Sequence, residues 1–171
     1  MGATPVEIVR DPAAPPGPAV VIAHGFAGSK QLMRSFALTL ARAGYTAVAF
    51  DFLGHGRHPE PLTGSITETE GATTMLLGQL EEVAAWARAL DDADGRLALL
   101  GHSMATDILV RYAQGADQDV AATVAVSMFA PTVEAASPDN LLVIVGGWEA
   151  RLQEEARRVL AQVAEEPRFG V

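Results

Sequence analysis

Five short apolar runs, "AVVIAHG", "TAVAFDF", "RLALLGH", "ATVAVSM" and "LLVIVGG", recur along the chain with longer stretches between them. They are apolar almost throughout rather than alternating with polar residues, the pattern of strands covered on both faces of a parallel sheet. In the intervening stretches Leu32, Phe36 and Leu40 fall on one helical face, and Leu76, Leu80, Val83, Ala87 and Leu90 on another. A third helix is expected to begin near Ser103, and a last one to run from Glu149 to Glu165. Ahead of them lie a weak alternating strand, Val6 to Arg10, and the turn "DPAAPPGP", whose prolines cannot feed a sheet ladder. Strands alternating with helices of this size predict an α/β sheet that is mostly parallel.

At 171 residues and 49% hydrophobic content the chain is of a size for one globular domain, and neither a repeat nor a shift in composition marks a second. The formal charge of −9 disfavours nonspecific contact with nucleic acid phosphates. Without cysteine there is no disulfide framework, no thiolate nucleophile and no Cys-based metal site, and neither a metal nor a cofactor is expected. No apolar segment is long enough to span a bilayer, and Met1 to Pro18 lacks the layout of a signal peptide, so a cytoplasmic location is expected.

The chemistry concentrates in "LALLGHSMATDIL", Leu97 to Leu109. Here a buried strand turns directly into a helix at Ser103, with Gly101 two residues before it and Ala105 two residues after. Such a turn forces the serine into strained backbone geometry, exposes its hydroxyl, and aims the Met104 amide from a helix N-terminus at a developing oxyanion. The plain alternative is a strand end followed by a helix-capping serine.

With this elbow the sequence resembles the α/β-hydrolase family, with alanine at the fifth motif position instead of the usual glycine. Two further stretches carry the resemblance. "VVIAHGFAGSKQLM" is similar to the family's oxyanion loop, which implies the Phe26 amide as the second oxyanion donor, with His24 and Gly25 shaping the substrate side of the loop. His24 itself is expected to pack and hydrogen-bond beneath that loop. "FDFLGHGRHP" is similar to the next landmark, in which Asp51, Gly54 and Gly56 shape a turn, with His58 at its end. The likeness covers roughly Ala19 to Glu149. It implies a three-layer sandwich around a sheet of about six strands in the order 1-3-2-4-5-6, the first antiparallel. "NLLVIVGGWEARL" resembles the strand that carries the triad's acid, which implies Glu149 in that role and Gly146 in the family's glycine position. The plainer reading of Glu149 is a first-turn acid stabilised by the helix dipole.

A serine hydroxyl needs a base, and in this family's order the histidine follows the acid. No histidine follows His102 in this chain. His102 neighbours the serine and is expected to line the substrate site with its ring turned from the hydroxyl, while His55 and His58 lie on a loop at the correct end of the sheet. The resemblance therefore implies a serine hydrolase acting on a carboxylic ester or related small acyl substrate, its Ser–Glu–His triad completed by a histidine outside these residues. By that comparison, residues 1–171 are one domain lacking the family's last strand and, at the other end, its first. The alternative is a noncatalytic domain of the same fold that binds a ligand or partner. Loss of the last strand would leave "LLVIV" as an unprotected edge, so self-association through Leu141 to Val145 is expected. Only "EPLTGSITETEG" is left as a long loop to shape substrate binding, and Glu134 is the next candidate acid.

Overall fold

The five apolar runs and the weak strand ahead of them pair as one six-stranded sheet in the order β1-β3-β2-β4-β5-β6. The computed structural model describes residues 2–63, 69–115, 118–129, 140–147 and 149–160. The strands are β1 (Val6–Val9), β2 (Gly17–Ala23), β3 (Thr46–Phe50), β4 (Ala93–His102), β5 (Ala122–Val126) and β6 (Leu141–Ile144). β1 lies antiparallel to β3, and every other pair is parallel. The helices are α1 (Arg34–Arg42), α2 (Thr69–Arg88), α3 (Ala105–Ala113) and α4 (Ala150–Leu160). None of the described helices is long and apolar enough to cross a membrane.

Alternate residues of β2 feed opposite layers. Ala19, Val21 and Ala23 join Leu76, Leu80 and Val83 of α2 and Ile108 and Leu109 of α3 in the larger core. Val20 and Ile22 pack on the other face with Met33, Ala37 and residues of β3. A strand apolar at every position can fill both layers at once, which is why these runs lack alternation. Pro18 nevertheless lies within β2. It has no N–H to donate, and the register against β4 shifts between Gly17 and Ala19.

Of the expected face of Leu32, Phe36 and Leu40, the last two pack against the core, and Leu32 alone requires a correction. Lys30–Met33 form a 3₁₀ turn ahead of α1, and Leu32 is exposed, whereas Met33, Ala37 and Ala41 are the buried residues. Three residues per turn instead of 3.6 shifts the phase within Lys30–Met33, so Met33 takes the inward position and Leu32 turns outward. Leu90 lies beyond the end of α2 and still packs against the core. The last helix begins one residue later than expected. Its expected end at Glu165, the candidate Glu134 and much of the Glu60–Gly71 loop lie outside the described residues.

β6 pairs with β5 alone among the described residues. Leu141 and Val143 pack beside Ala125, Met128 and Ala156 of α4, but Leu142 and Ile144 are exposed on the opposite face. An apolar, uncharged edge of this kind templates pairing with a second chain. Light scattering of the chain is expected to show concentration-dependent self-association that Ile144→Lys reduces. A monodisperse parent chain would contradict that expectation.

Candidate active site

All the parallel strands deliver their carboxyl ends to one edge of the sheet, where the loop after β2, the elbow after β4 and the segment after β6 that carries Glu149 all begin. Ser103 ends the turn from β4 into α3 with φ of 52°, a left-handed conformation that costs a non-glycine residue about 1 kcal/mol or more. The conformation is held from both sides: the Ser103 amide donates to Val126 O at 2.9 Å, and the Thr106 amide donates to Ser103 O at 2.9 Å. Close packing leaves no space for a larger residue at the start of the motif. A Cβ at Gly101 would lie 2.4 Å from Leu109 Cδ1 and 3.2 Å from Ala105 Cβ, and both of those residues are fully buried.

The loop after β2 rests directly on this elbow. A Cβ on Gly25 would lie 3.1 Å from Ser103 Cβ and 3.0 Å from His102 Nδ1. The loop then turns tightly, with the Gly28 amide donating to Gly25 O at 3.0 Å and Ala27 left-handed at φ 54°. Among the described residues, no turn or loop carbonyl accepts from the Phe26 or Met104 amide.

His24 is fully buried beneath this loop. Its Nε2 accepts from the Phe52 amide at 3.1 Å, which leaves the proton on Nδ1 to donate to Gly25 O at 2.8 Å. Burial lowers its pKa, outweighing the bond to Gly25, and the ring stays neutral. With both nitrogens committed to backbone, His24 orients the loop and has no polar atom left for a substrate. The buried His55 donates from Nδ1 to Leu53 O at 2.8 Å and packs edge-on against Phe26. His58 accepts from the Glu60 amide at Nδ1 and approaches Thr4 Oγ1 at Nε2. None of the four histidines hydrogen-bonds the Ser103 hydroxyl.

Glu149 stands just before α4, as its capping residue rather than inside its first turn, and the Gln153 amide donates to Glu149 O at 2.9 Å. Its Oε2 accepts from the Gly146 amide at 2.5 Å and from Ser127 Oγ at 3.2 Å. Ser127 was not singled out by the sequence. It follows β5 with φ of 49°, and the preceding Val126 carbonyl accepts from the Ser103 amide, so one dipeptide links the elbow to the carboxylate. A polar residue closing the apolar run "ATVAV" is the one signal that could have pointed to it.

A second feature missed by sequence reading is the buried Lys30. Its Nζ donates to Asp51 Oδ2 at 2.6 Å and its amide to Oδ1 at 2.7 Å, while the Arg57 amide reaches Oδ2 at 3.0 Å. Burial pushes the Asp51 carboxyl upward, but the Lys30 ammonium and the two amides outweigh it and hold the pKa below the usual carboxylate value. Gly56 must lack a side chain because its Cβ would lie 2.4 Å from the Asp51 carboxyl. The carboxylate thus ties the loop after β2 to the loop after β3.

A strained serine between strand and helix and a hydrogen-bonded carboxylate thus follow parallel strands of one sheet. A family model described as the alpha/beta hydrolase fold matches residues 18–166, and the chain belongs to that family. Among curated proteins, an epoxide hydrolase of Caballeronia sordidicola is 37% identical over 65 residues, covering 38% of this chain and 20% of that protein. Among solved structures, ferulic-acid-bound Est1E from Butyrivibrio proteoclasticus superposes with a TM-score of 0.62 at 20% identity, covering 72% of this chain and 48% of that one. An epoxide hydrolase from Vigna radiata gives a TM-score of 0.58 at 23% identity, covering 73% and 36%. The chain therefore spans about a fifth of the length of the curated relative, and the structural matches at these identities establish the fold.

Proposed function

We propose that the protein is a serine hydrolase of carboxylic esters or related acyl compounds. Ser103 is its nucleophile, the Phe26 and Met104 amides its oxyanion donors and Glu149 its acid. The observation that carries the reading is the left-handed Ser103 at the turn from β4 into α3, with Gly25 of the loop after β2 packed against it. The identity of the nucleophile also separates two chemistries found among its relatives. A serine alkoxide that opened an epoxide would form an ether, which water does not cleave. Attack on an acyl carbon expels an alkoxide or thiolate and leaves an ester on Ser103, which water hydrolyses to regenerate the hydroxyl. A serine at the elbow is therefore suited to acyl transfer.

The base in this reading is a histidine outside the 171 residues, oriented by Glu149. His55 and His58 have their nearer contacts with Leu53, Glu60 and Thr4. Turnover of activated esters by the 171-residue chain is accordingly expected to match that of its Ser103→Ala variant, whereas a longer product of the same reading frame should show turnover that Ser103→Ala removes. The comparison must be with the serine variant, since oxyanion donors alone leave residual acceleration. Ser103-dependent turnover by the short chain would make His55 or His58 the base. Its absence from the longer protein as well would favour the noncatalytic, ligand-binding reading.

A further inference from the structure

Two exposed aromatic side chains flank the nucleophile. The strand order sets β2 and β5 on either side of β4, so the residues following β2 and β5 border the serine that follows β4. On the β2 side stands Phe26, 73% exposed and directly after Gly25, whose position is packed against Ser103. On the β5 side stands Phe129, 37% exposed.

The placement of Phe129 is set by a single hydroxyl. Thr106 Oγ1 accepts from the Phe129 amide at 2.8 Å and lies 2.9 Å from Phe129 O and 2.6 Å from Ser103 O, sharing its one hydrogen between those carbonyls. Thr106 is fully buried, so the link between Phe129 and the elbow is shielded from water. Phe26 is oriented as well, because His55 meets it edge-on at 5.5 Å and 78°. Large apolar groups left in water at both margins of a reactive site are explained when a ligand covers them. Aromatic rings in particular reward a ligand ring through offset or edge-to-face contact beyond simple area burial.

We infer that Phe26 and Phe129 form an aryl-binding lip around Ser103, so that the ester substrate carries an aromatic ring within a few atoms of its carbonyl. The inference rests on the acyl-hydrolase reading above and adds the substrate class to it.

The test is a binding titration by amide chemical shift on the 171-residue chain carrying Ser103→Ala, which excludes turnover. Benzyl acetate and cyclohexylmethyl acetate serve as probes of matched shape and differ in the π system. Benzyl acetate is expected to bind roughly 3–10-fold more tightly. Phe26→Leu and Phe129→Leu, which keep apolar bulk and the Phe26 amide, should each shrink that preference, and the double variant should abolish it. Equal affinities, a preference that survives the double variant, or no shift of site amides with either ester would overturn the inference. The outcome is separable from that of the parent reading. An aryl preference without Ser103-dependent turnover in the longer protein leaves a binding site and removes the hydrolysis, whereas turnover without the preference removes only the lip.

Discussion

Lys30→Met is expected to destabilise the fold by about 3 kcal/mol at neutral pH, as urea unfolding would measure. Breaking a buried ion pair from one side strands the other charge, at a cost on the order of 3–5 kcal/mol, and the lower end applies because the Lys30 and Arg57 amides still hold Asp51. Removing both charges should not restore the loss. Asp51→Leu would orphan those two amides, each at about 1–3 kcal/mol.

The pH dependence distinguishes the variant from the parent. In the parent the folded-state pKa of Asp51 lies below its unfolded value of 3.8, so the pair's contribution is complete above that value and is lost as pH falls through the folded pKa. In Lys30→Met the burial of the carboxyl is no longer opposed by an ammonium, and protonation relieves the variant. The stability gap between the two should therefore be widest at neutral pH and narrow on acidification. A gap that stays constant with pH would show that the loss comes from packing of the lysine stem.

If the proposed triad holds, Glu149→Gln, made in a protein extended to supply the proposed histidine, is expected to lower kcat by about 10⁴ with the unfolding midpoint little changed. The amide oxygen can still accept from the Gly146 amide and Ser127 Oγ, so the loop keeps its geometry. In the proposed triad the NH₂ group would take the place of the carboxylate oxygen that the imidazole donates to, which favours the wrong tautomer and gives no support to an imidazolium. Wild-type kcat in the variant would place the acid elsewhere, with Glu134 the first residue to examine.

The sheet and the elbow were legible in the sequence because both are written in local, contiguous residues. Apolar runs short enough for strands and apolar at every position can be satisfied only between two helical layers, and the order 1-3-2-4-5-6 observed here accompanies that arrangement in the family resembled. Gly101 and Ala105 spaced about Ser103 likewise announce a turn whose strain the structure shows at φ 52°.

Contacts between distant segments were not legible. Leu32 reads as a core residue until the 3₁₀ turn shifts its phase. Lys30 reads as a surface lysine, yet it is buried because Asp51, 21 residues away, neutralises it. Ser127 reads as the polar end of a strand, and only the arrival of Glu149 from 22 residues further along makes it a link in the site. Period and spacing along the chain determined which segments became strands and where the serine would stand. The partner of each buried polar group was decided by tertiary packing, because desolvation penalises an unpaired charge or amide whatever the sequence distance to the group that can satisfy it.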